Sequence, residues 1–318
     1  MDKPDLDYTF AGRIIMKKAS VILLILFILF AACSYTKAID ANQSYIHISL
    51  DDVNLSVKNL ADNKYECLWD EPLFCCLKEY HETYGAVFSL YVFEDTFRQI
   101  GDGYQKDFFK SADWLKIGLH SRSSGEKYDD SSDYQTGKSD WNQFVDTVSY
   151  ITGTTKSIDR FPRLHYFSGS KECLRGMKDA NTGAVGFLAA DDDRMSYYLS
   201  AEENSDIQIN DSYYDDESEL VFLKTDMRGD WFDDDFESEN KYDSPKESGV
   251  SEELERRFSS EDYKNNIDTY IWFCHEWQIY DGVSVNDNIK WIEDVCRFAR
   301  DKKIPFDYPQ NQIGRYIS

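Results

Sequence analysis

The sequence predicts an α/β protein in which strands and helices alternate around a parallel sheet or a barrel. Short, apolar, β-rich runs are regularly separated by segments whose apolar residues recur every three or four positions, as on one face of a helix. The chain has 318 residues, 42% of them hydrophobic and 15% aromatic, so it can bury one large core or two small ones. This composition excludes a disordered or a collagen-like chain.

The first elements of the folded body are a strand, a helix and two further strands. Tyr45-Ile46-His47-Ile48-Ser49-Leu50 is a β-rich run that ends abruptly at two acidic residues. Asp70 is placed to cap a helix whose apolar residues lie three and four apart, and Gly85 is placed to end it. Apolar runs at 86–93 and 114–119 predict the next two strands.

The second half of the body continues the alternation. Helical periodicity covers 139–151, and Ser170 is the expected cap of a helix that ends near Lys178. Short strands are predicted at 184–188, 220–224 and 269–273, and a last helix over 284–302.

The net charge restricts the partners. There are 59 acidic and 35 basic residues, which gives a formal charge of −24. Such a surface repels phosphate backbones, so we expect no nucleic-acid partner. The excess is concentrated between Asp191 and Asp262, which contain 25 acidic and seven basic residues. We interpret this stretch as a solvated, loop-rich insertion; a cation-binding or cationic-glycan-facing surface is the alternative.

Residues 1–32 are predicted to be a targeting signal. Met16-Lys17-Lys18 precedes a 14-residue apolar run, Ala19 to Ala32, of the length found in secretory signals. The run ends at Cys33 in a sequence that resembles the cleavage motif of bacterial lipoproteins, which makes Cys33 the predicted lipidation site. Cleavage after Ala38 and an uncleaved anchor helix are the alternatives.

These features predict an exported protein that is lipid-anchored to the bacterial cell envelope. We expect a tether at 33–44 and a single folded body at 45–318. Contact with the membrane is expected only through the lipid anchor.

Several predicted strands end in residues that can carry chemistry. The carboxyl ends of parallel strands meet at one edge of a sheet or barrel, where active sites commonly lie. The strand-end residues are Asp51-Asp52, His120, Thr225-Asp226 with Asp230-Trp231, and His275-Glu276. Their shared position predicts one site.

The order of these strand ends resembles the polysaccharide deacetylase family of metal-dependent carbohydrate esterases. The resemblance runs from Tyr45 to about Pro305 and implies a distorted (β/α) barrel of about seven parallel strands with an acidic, loop-rich insertion. Ile48-Ser49-Leu50-Asp51-Asp52 is similar to the family's first motif. By that likeness Asp51 is the catalytic base and Asp52 a metal ligand.

The likeness continues in four further segments. Gly118-Leu119-His120-Ser121 resembles the start of the second motif, which makes His120 a metal ligand. Arg160-Phe161-Pro162 resembles the third, in which Arg160 orients the base. Ile271-Trp272-Phe273-Cys274-His275 resembles the fifth, in which His275 is the general acid.

The fourth motif and the second motif depart from the family pattern. Asp226 and Asp230-Trp231, the expected substrate-binding residues, have one residue too many between the acids. The second motif lacks its second histidine, because His120 is followed by Ser121-Arg122-Ser123-Ser124-Gly125. His165 follows the third motif; we interpret it as a packing residue, and an approach to the site is the alternative. Alternative oxygen ligands are Asp129, Asp130 and Asp133.

The resemblance implies that a divalent metal, zinc, assists the removal of acetyl groups from an N- or O-acetylated polysaccharide or oligosaccharide. The alternative is a non-catalytic glycan- or envelope-binding lipoprotein that has lost a metal ligand. A glycoside hydrolase with two carboxylates and no metal is a third reading. Metal binding by the purified protein would distinguish the deacetylase from the glycan-binding protein and the glycoside hydrolase.

Overall fold

The computed structural model describes residues 43–192, 194–229, 249–259 and 269–317. The signal predicted at 1–32, Cys33 with most of the tether, and the pair Asp230-Trp231 lie outside these residues. Among the described helices, none combines the length and the apolar composition needed to cross a membrane.

The centre of the fold is a five-stranded parallel sheet. The described strands are β1 (Tyr45–Val53), β2 (Phe88–Phe93), β3 (Leu115–Ser121), β4 (Gly186–Leu188), β5 (Ser212–Asp215), β6 (Leu220–Leu223), β7 (Met227–Arg228) and β8 (Thr269–His275). The central sheet has the order β3-β2-β1-β8-β7, and every neighbouring pair is parallel. The predicted α/β class with a parallel sheet is therefore confirmed.

A second, three-stranded sheet continues the wall. It has the order β4-β6-β5, in which β5 is antiparallel to β6. The extended segment 158–162 joins the two sheets: the Asp159 N–H donates to the Ile117 carbonyl in β3 at 2.8 Å, and the Leu188 N–H in β4 donates to the Pro162 carbonyl at 3.0 Å. The result is a barrel-like wall, whose strands do not form a closed ring within the described part of the chain.

Helices cover the outside of the wall. They are α1 (Leu55–Ala61), α2 (Pro72–Tyr84), α3 (Glu94–Phe97), α4 (Gln105–Ser111), α5 (Tyr134–Thr152), α6 (Lys171–Lys178), α7 (Ala201–Asn210), α8 (Gly249–Ser259), α9 (Glu276–Ile279) and α10 (Ile289–Lys302). Ser170 caps α6 as predicted, and Gly85, with φ 73°, ends α2. The N-cap of α2 is Glu71 and not Asp70, because the Glu71 carboxylate accepts from the N–H groups of Leu73 and Phe74.

The acidic region is more ordered than a loop-rich insertion suggests. Its described part includes α7 and α8 and the three strands β5, β6 and β7. Ser200 and Glu203 form a capping box at the start of α7, which explains why a strongly acidic sequence begins a helix there.

The two faces of β1 differ in chemistry. Ile46, Ile48 and Leu50 belong to the large apolar core that the helices complete. The alternate residues, which include His47, Ser49 and Asp51, are buried on the opposite face. The interior of the wall is therefore partly polar, and this polar interior ends at the carboxyl edge of the strands.

Candidate active site

Asp51 and Asp52 diverge at the end of β1. Asp51 stays aligned with His275 across the β1–β8 ladder. The ladder with β2 shifts register between Leu50 and Val53, and Asp52 adopts a left-handed backbone with φ 55°. As expected for consecutive residues at a strand end, the two carboxylates therefore reach different partners.

Asp52 lies beside two histidine rings. Its Oδ1 atom is 3.2 Å from Nε2 of His120 and 3.9 Å from Nε2 of His165. The three side chains offer ligand atoms that all lie within 4.8 Å of one another. The structure thus favours the alternative for His165, an approach to the site, over a packing role: it is the second histidine of this group, and it follows the third motif.

The hydrogen bonds of the rings suit metal binding. Nδ1 of His120 is 2.7 Å from the Arg163 carbonyl, and Nδ1 of His165 is 3.0 Å from the Glu126 carbonyl. A carbonyl oxygen only accepts, so each Nδ1 carries a proton, and each Nε2, which faces Asp52, is the ring nitrogen that a metal can bind. Asp52 Oδ1 is buried and has no hydrogen-bond partner of good geometry among the described residues. This donor set fits a divalent metal such as zinc.

Electrostatics favour the metal-binding protonation states of Asp52 and His165. Burial would raise the pKa of Asp52, but the neighbouring imidazoles, His120 foremost, outweigh it and lower this pKa to about 2. Burial, together with the charge of His120, lowers the pKa of His165. Near neutral pH the carboxylate is therefore ionised and the His165 ring is neutral, as ligands must be.

The guanidinium that contacts Asp51 belongs to Arg163. Its Nη1 atom donates to Asp51 Oδ1 at 2.8 Å and to Ser49 Oγ at 3.0 Å, and Nη2 donates to Thr225 Oγ1 at 3.0 Å. The Phe273 ring lies against it, with its centroid 4.1 Å from the Arg163 Cζ atom. These contacts fix both partners of a buried ion pair.

Arg160, the expected orienting residue, is directed elsewhere. Its Nε atom donates to the Gly183 carbonyl at 2.8 Å. Segment 158–162 is extended, so alternate residues point to opposite sides. Asp159 and Phe161 point into the wall, where they contact Tyr91 and its neighbours. Arg163, two residues after Phe161, faces the same side. The contact predicted for Arg160 is thus made by Arg163, and this alternation is the signal that identifies it.

His275 ends β8 beside the metal-binding group. Its side chain is half-buried, and its partner across the β1–β8 ladder is Asp51, the residue before Asp52. The ring stacks on Trp277, with centroids 5.2 Å apart and planes inclined by 24°. The structure therefore brings together Asp51, Asp52 and His275 as the sequence predicts.

Other predicted residues have local roles. The Asp226 carboxylate accepts the Ile271 N–H at 2.8 Å, four residues before the end of β8. Asp133 caps α5 by accepting the Thr136 N–H, and Asp129 accepts the Ser131 N–H. These backbone contacts give the three carboxylates structural roles, and none of the three belongs to the Asp52–His120–His165 group.

Comparison with known structures finds a similar protein. The chain is similar to the crystal structure of a putative polysaccharide deacetylase from Mycobacterium smegmatis, at 12% identity and a TM-score of 0.45. The match covers 85% of this chain and 94% of that one. No protein-family model and no curated protein matches the sequence.

Proposed function

We propose that this protein is a metal-dependent hydrolase that removes acetyl groups from an N- or O-acetylated glycan. The observation that carries the proposal is the Asp52–His120–His165 group, which lies directly beside Asp51 and His275. A three-residue metal group with an adjacent carboxylate and an adjacent histidine has the parts that metal-assisted acyl hydrolysis requires.

Each residue has a role in this proposal. Asp52, His120 and His165 hold a divalent metal, for which we propose zinc; when bound, it polarises the acyl carbonyl and acidifies water. Asp51 takes the proton of the attacking water as general base. Arg163 orients Asp51 through their 2.8 Å contact.

The departing group needs a proton donor on another side of the substrate. His275 ends the strand next to β1, so a substrate seated over Asp51 also faces this imidazole. In its protonated form His275 delivers a proton to the leaving amine or sugar hydroxyl as general acid.

Two exposed aromatic rings support a carbohydrate substrate. Tyr166 is 69% exposed, and its ring centroid lies 4.1 Å from that of His165. Trp277 is 52% exposed and stacks on His275. Exposed aromatic faces beside a polar site are suited to pack against the apolar faces of sugar rings.

The test is acetate release from acetylated glycans by the purified protein, with and without zinc. We expect turnover that a chelator abolishes, and that Asp51→Asn abolishes while zinc stays bound. Glycan binding without acetate release would contradict the proposal and support a non-catalytic glycan-binding protein. Cleavage of glycosidic bonds that resists chelation would instead indicate a glycoside hydrolase.

The role of His275 has its own test. His275→Ala should slow the hydrolysis of esters with poor leaving groups much more than that of activated esters, because only poor leaving groups need the proton. Equal slowing for both classes would assign His275 a different role.

We also propose that the protein is exported and anchored to the cell envelope through a lipid on Cys33. Mass spectrometry of the membrane fraction should find diacylglyceryl at this cysteine. An unmodified Cys33, or a mature chain that begins after Ala38, would exclude the lipid anchor.

A further inference from the structure

A buried carboxylate that has no part in the chemistry proposed above lies directly behind the site. Glu276 follows His275 and is fully buried. Its Oε2 atom accepts the N–H groups of Asn54 at 2.7 Å and of Leu55 at 2.5 Å. Its Oε1 atom accepts the Ser56 N–H at 2.9 Å and also the Ser56 hydroxyl. One side chain from the end of β8 therefore binds four donors at the start of α1.

Helix α1 has no cap of its own. Asn54, its N-cap residue, makes no side-chain capping bond. The first N–H groups of a helix need acceptors from outside the helix, and buried ones that lack an acceptor are costly. Glu276 supplies these acceptors from a segment more than 200 residues away in sequence.

The start of α1 determines where Asp52 lies. Asp52 precedes Asn54 by two residues, and its backbone is left-handed with φ 55°. That conformation costs a non-glycine residue about 1–2 kcal/mol, so the surrounding structure must hold it in place. Glu276 binds residues 54–56, which follow Asp52 closely in the chain, and these contacts stabilise the left-handed backbone of Asp52.

The same carboxylate is covalently next to His275. The β1–β8 ladder ends at the pair Asp51 and His275. The contacts of Glu276 extend the connection between the two chain segments beyond the last ladder pair. Asp52, on one side of the site, and His275, on the other, are thus tied together by one buried group.

We propose that Glu276 is a positioning residue that fixes Asp52 relative to His275 and thereby sets the metal affinity of the Asp52–His120–His165 group. This inference rests on the proposed function only in assuming that the group binds metal. Groups that hydrogen-bond directly to a metal ligand typically change metal affinity by about 10–100-fold when they are lost, and we expect Glu276, which acts through the chain next to Asp52, to reach the lower end of this range.

The test is zinc affinity of Glu276→Gln, measured by competition with a chromophoric chelator. The side-chain amide of Gln would place its own N–H donors against backbone N–H donors at the start of α1. Two donors cannot form a hydrogen bond, so the start of α1 should shift. We expect zinc binding at least about tenfold weaker than in the parent protein. Parental affinity in this variant would overturn the proposal.

Glu71→Gln is the matched control. Glu71 is also fully buried, and it also accepts two N–H groups at a helix start, at 2.8 and 3.1 Å, but α2 carries none of the site residues. We expect a comparable loss of thermal stability with zinc affinity within about twofold of the parent. An equal loss of affinity in both variants would reduce the effect of Glu276 to general destabilisation and overturn the proposal.

Two further measurements keep the outcomes distinct. If Glu276→Gln does not fold, Ser56→Ala removes only the hydroxyl donor, and its zinc affinity should still fall; unchanged affinity would overturn the proposal. Hydrogen exchange of residues 52–56 in metal-free protein should be faster in Glu276→Gln than in the parent. If the parent binds no zinc, the proposed function fails, and this exchange experiment alone decides whether Glu276 holds the Asp52 segment.

Discussion

Arg163 and Asp51 form an ion pair inside the protein wall, with Nη1 and Oδ1 2.8 Å apart and side chains that are only 1% and 3% exposed. Two hydroxyl groups, from Ser49 and Thr225, accept further hydrogen bonds from the guanidinium. The pair thus links β1 to the segment after 158–162. A buried pair of this kind is costly to break, because one charge is left without its partner.

Loss of the Arg163 charge should be strongly destabilising. We expect Arg163→Met to lower the free energy of unfolding by about 3–5 kcal/mol, measured by urea denaturation. Arg160→Met is the control, since the described side-chain bond of Arg160 is the one to the Gly183 carbonyl; we expect a loss of about 1 kcal/mol. Similar losses in the two variants would show that the ion pair contributes little.

His165 should be as important for metal binding as His120. We expect His165→Ala and His120→Ala each to weaken zinc binding by more than about 100-fold, because each removes one of the three proposed ligands. His81→Ala serves as the control: its Nδ1 atom lies 2.8 Å from the Ala86 carbonyl at the end of α2, and it is not part of the group. Isothermal titration calorimetry with zinc measures the affinity of all three variants. Tight binding by His165→Ala would remove it from the ligand set.

The buried His47 should make the fold sensitive to acid. Burial, followed by the charge of Arg163, lowers the pKa of His47 from 6.5 to about 3. Between these values the unfolded chain binds a proton that the folded chain does not, so the contribution of His47 is complete above pH 6.5 and is lost as the pH falls. From pH 7 to pH 5 we expect a loss of about 2 kcal/mol.

Urea denaturation of the parent and of His47→Gln at both pH values checks this prediction. The variant has no imidazole to titrate, so its stability should change less between pH 7 and pH 5. The same pH dependence in both proteins would show that other groups cause the loss.

Gly118 should tolerate no larger residue. A Cβ atom there would lie 2.3 Å from the Tyr91 ring, which is fully buried and whose hydroxyl donates to the Phe161 carbonyl at 3.1 Å. We expect Gly118→Ala to lower stability by about 1–3 kcal/mol through overpacking. Gly103→Ala is the control, because nothing lies within 4 Å of its added Cβ and its backbone is not left-handed. Thermal denaturation of the two variants should separate them.

The sequence predicts the strand-end part of the site well. Asp51, Asp52, His120 and His275 follow apolar runs, and the parallel order of β1, β2, β3 and β8 brings the ends of these runs to one edge. Apolar runs are visible in the sequence, and parallel strands always place their carboxyl ends at one edge of the sheet. These two facts are sufficient to predict which strand-end residues meet.

Arg163 and His165 are not predictable in the same way. They lie beyond an extended segment that has no apolar run of its own and that pairs as a connector between two sheets. After them, Tyr166 and Phe167 both adopt left-handed backbones, with φ 59° and 52°, which no periodic pattern anticipates. Only the alternation of Asp159, Phe161, Arg163 and His165 suggests that all four face inward, and that alternation has meaning once the segment is known to be extended.

The pairing of β1 with β8 has a consequence for how the protein is synthesised. The first and last strands of the body are neighbours, so the β1 edge stays open until residues 269–275 have left the ribosome. Contacts between such distant parts of a chain form slowly, and an open strand edge can pair with another chain. A chain released before β8 is complete therefore keeps an open β1 edge and lacks His275, and we expect it to aggregate.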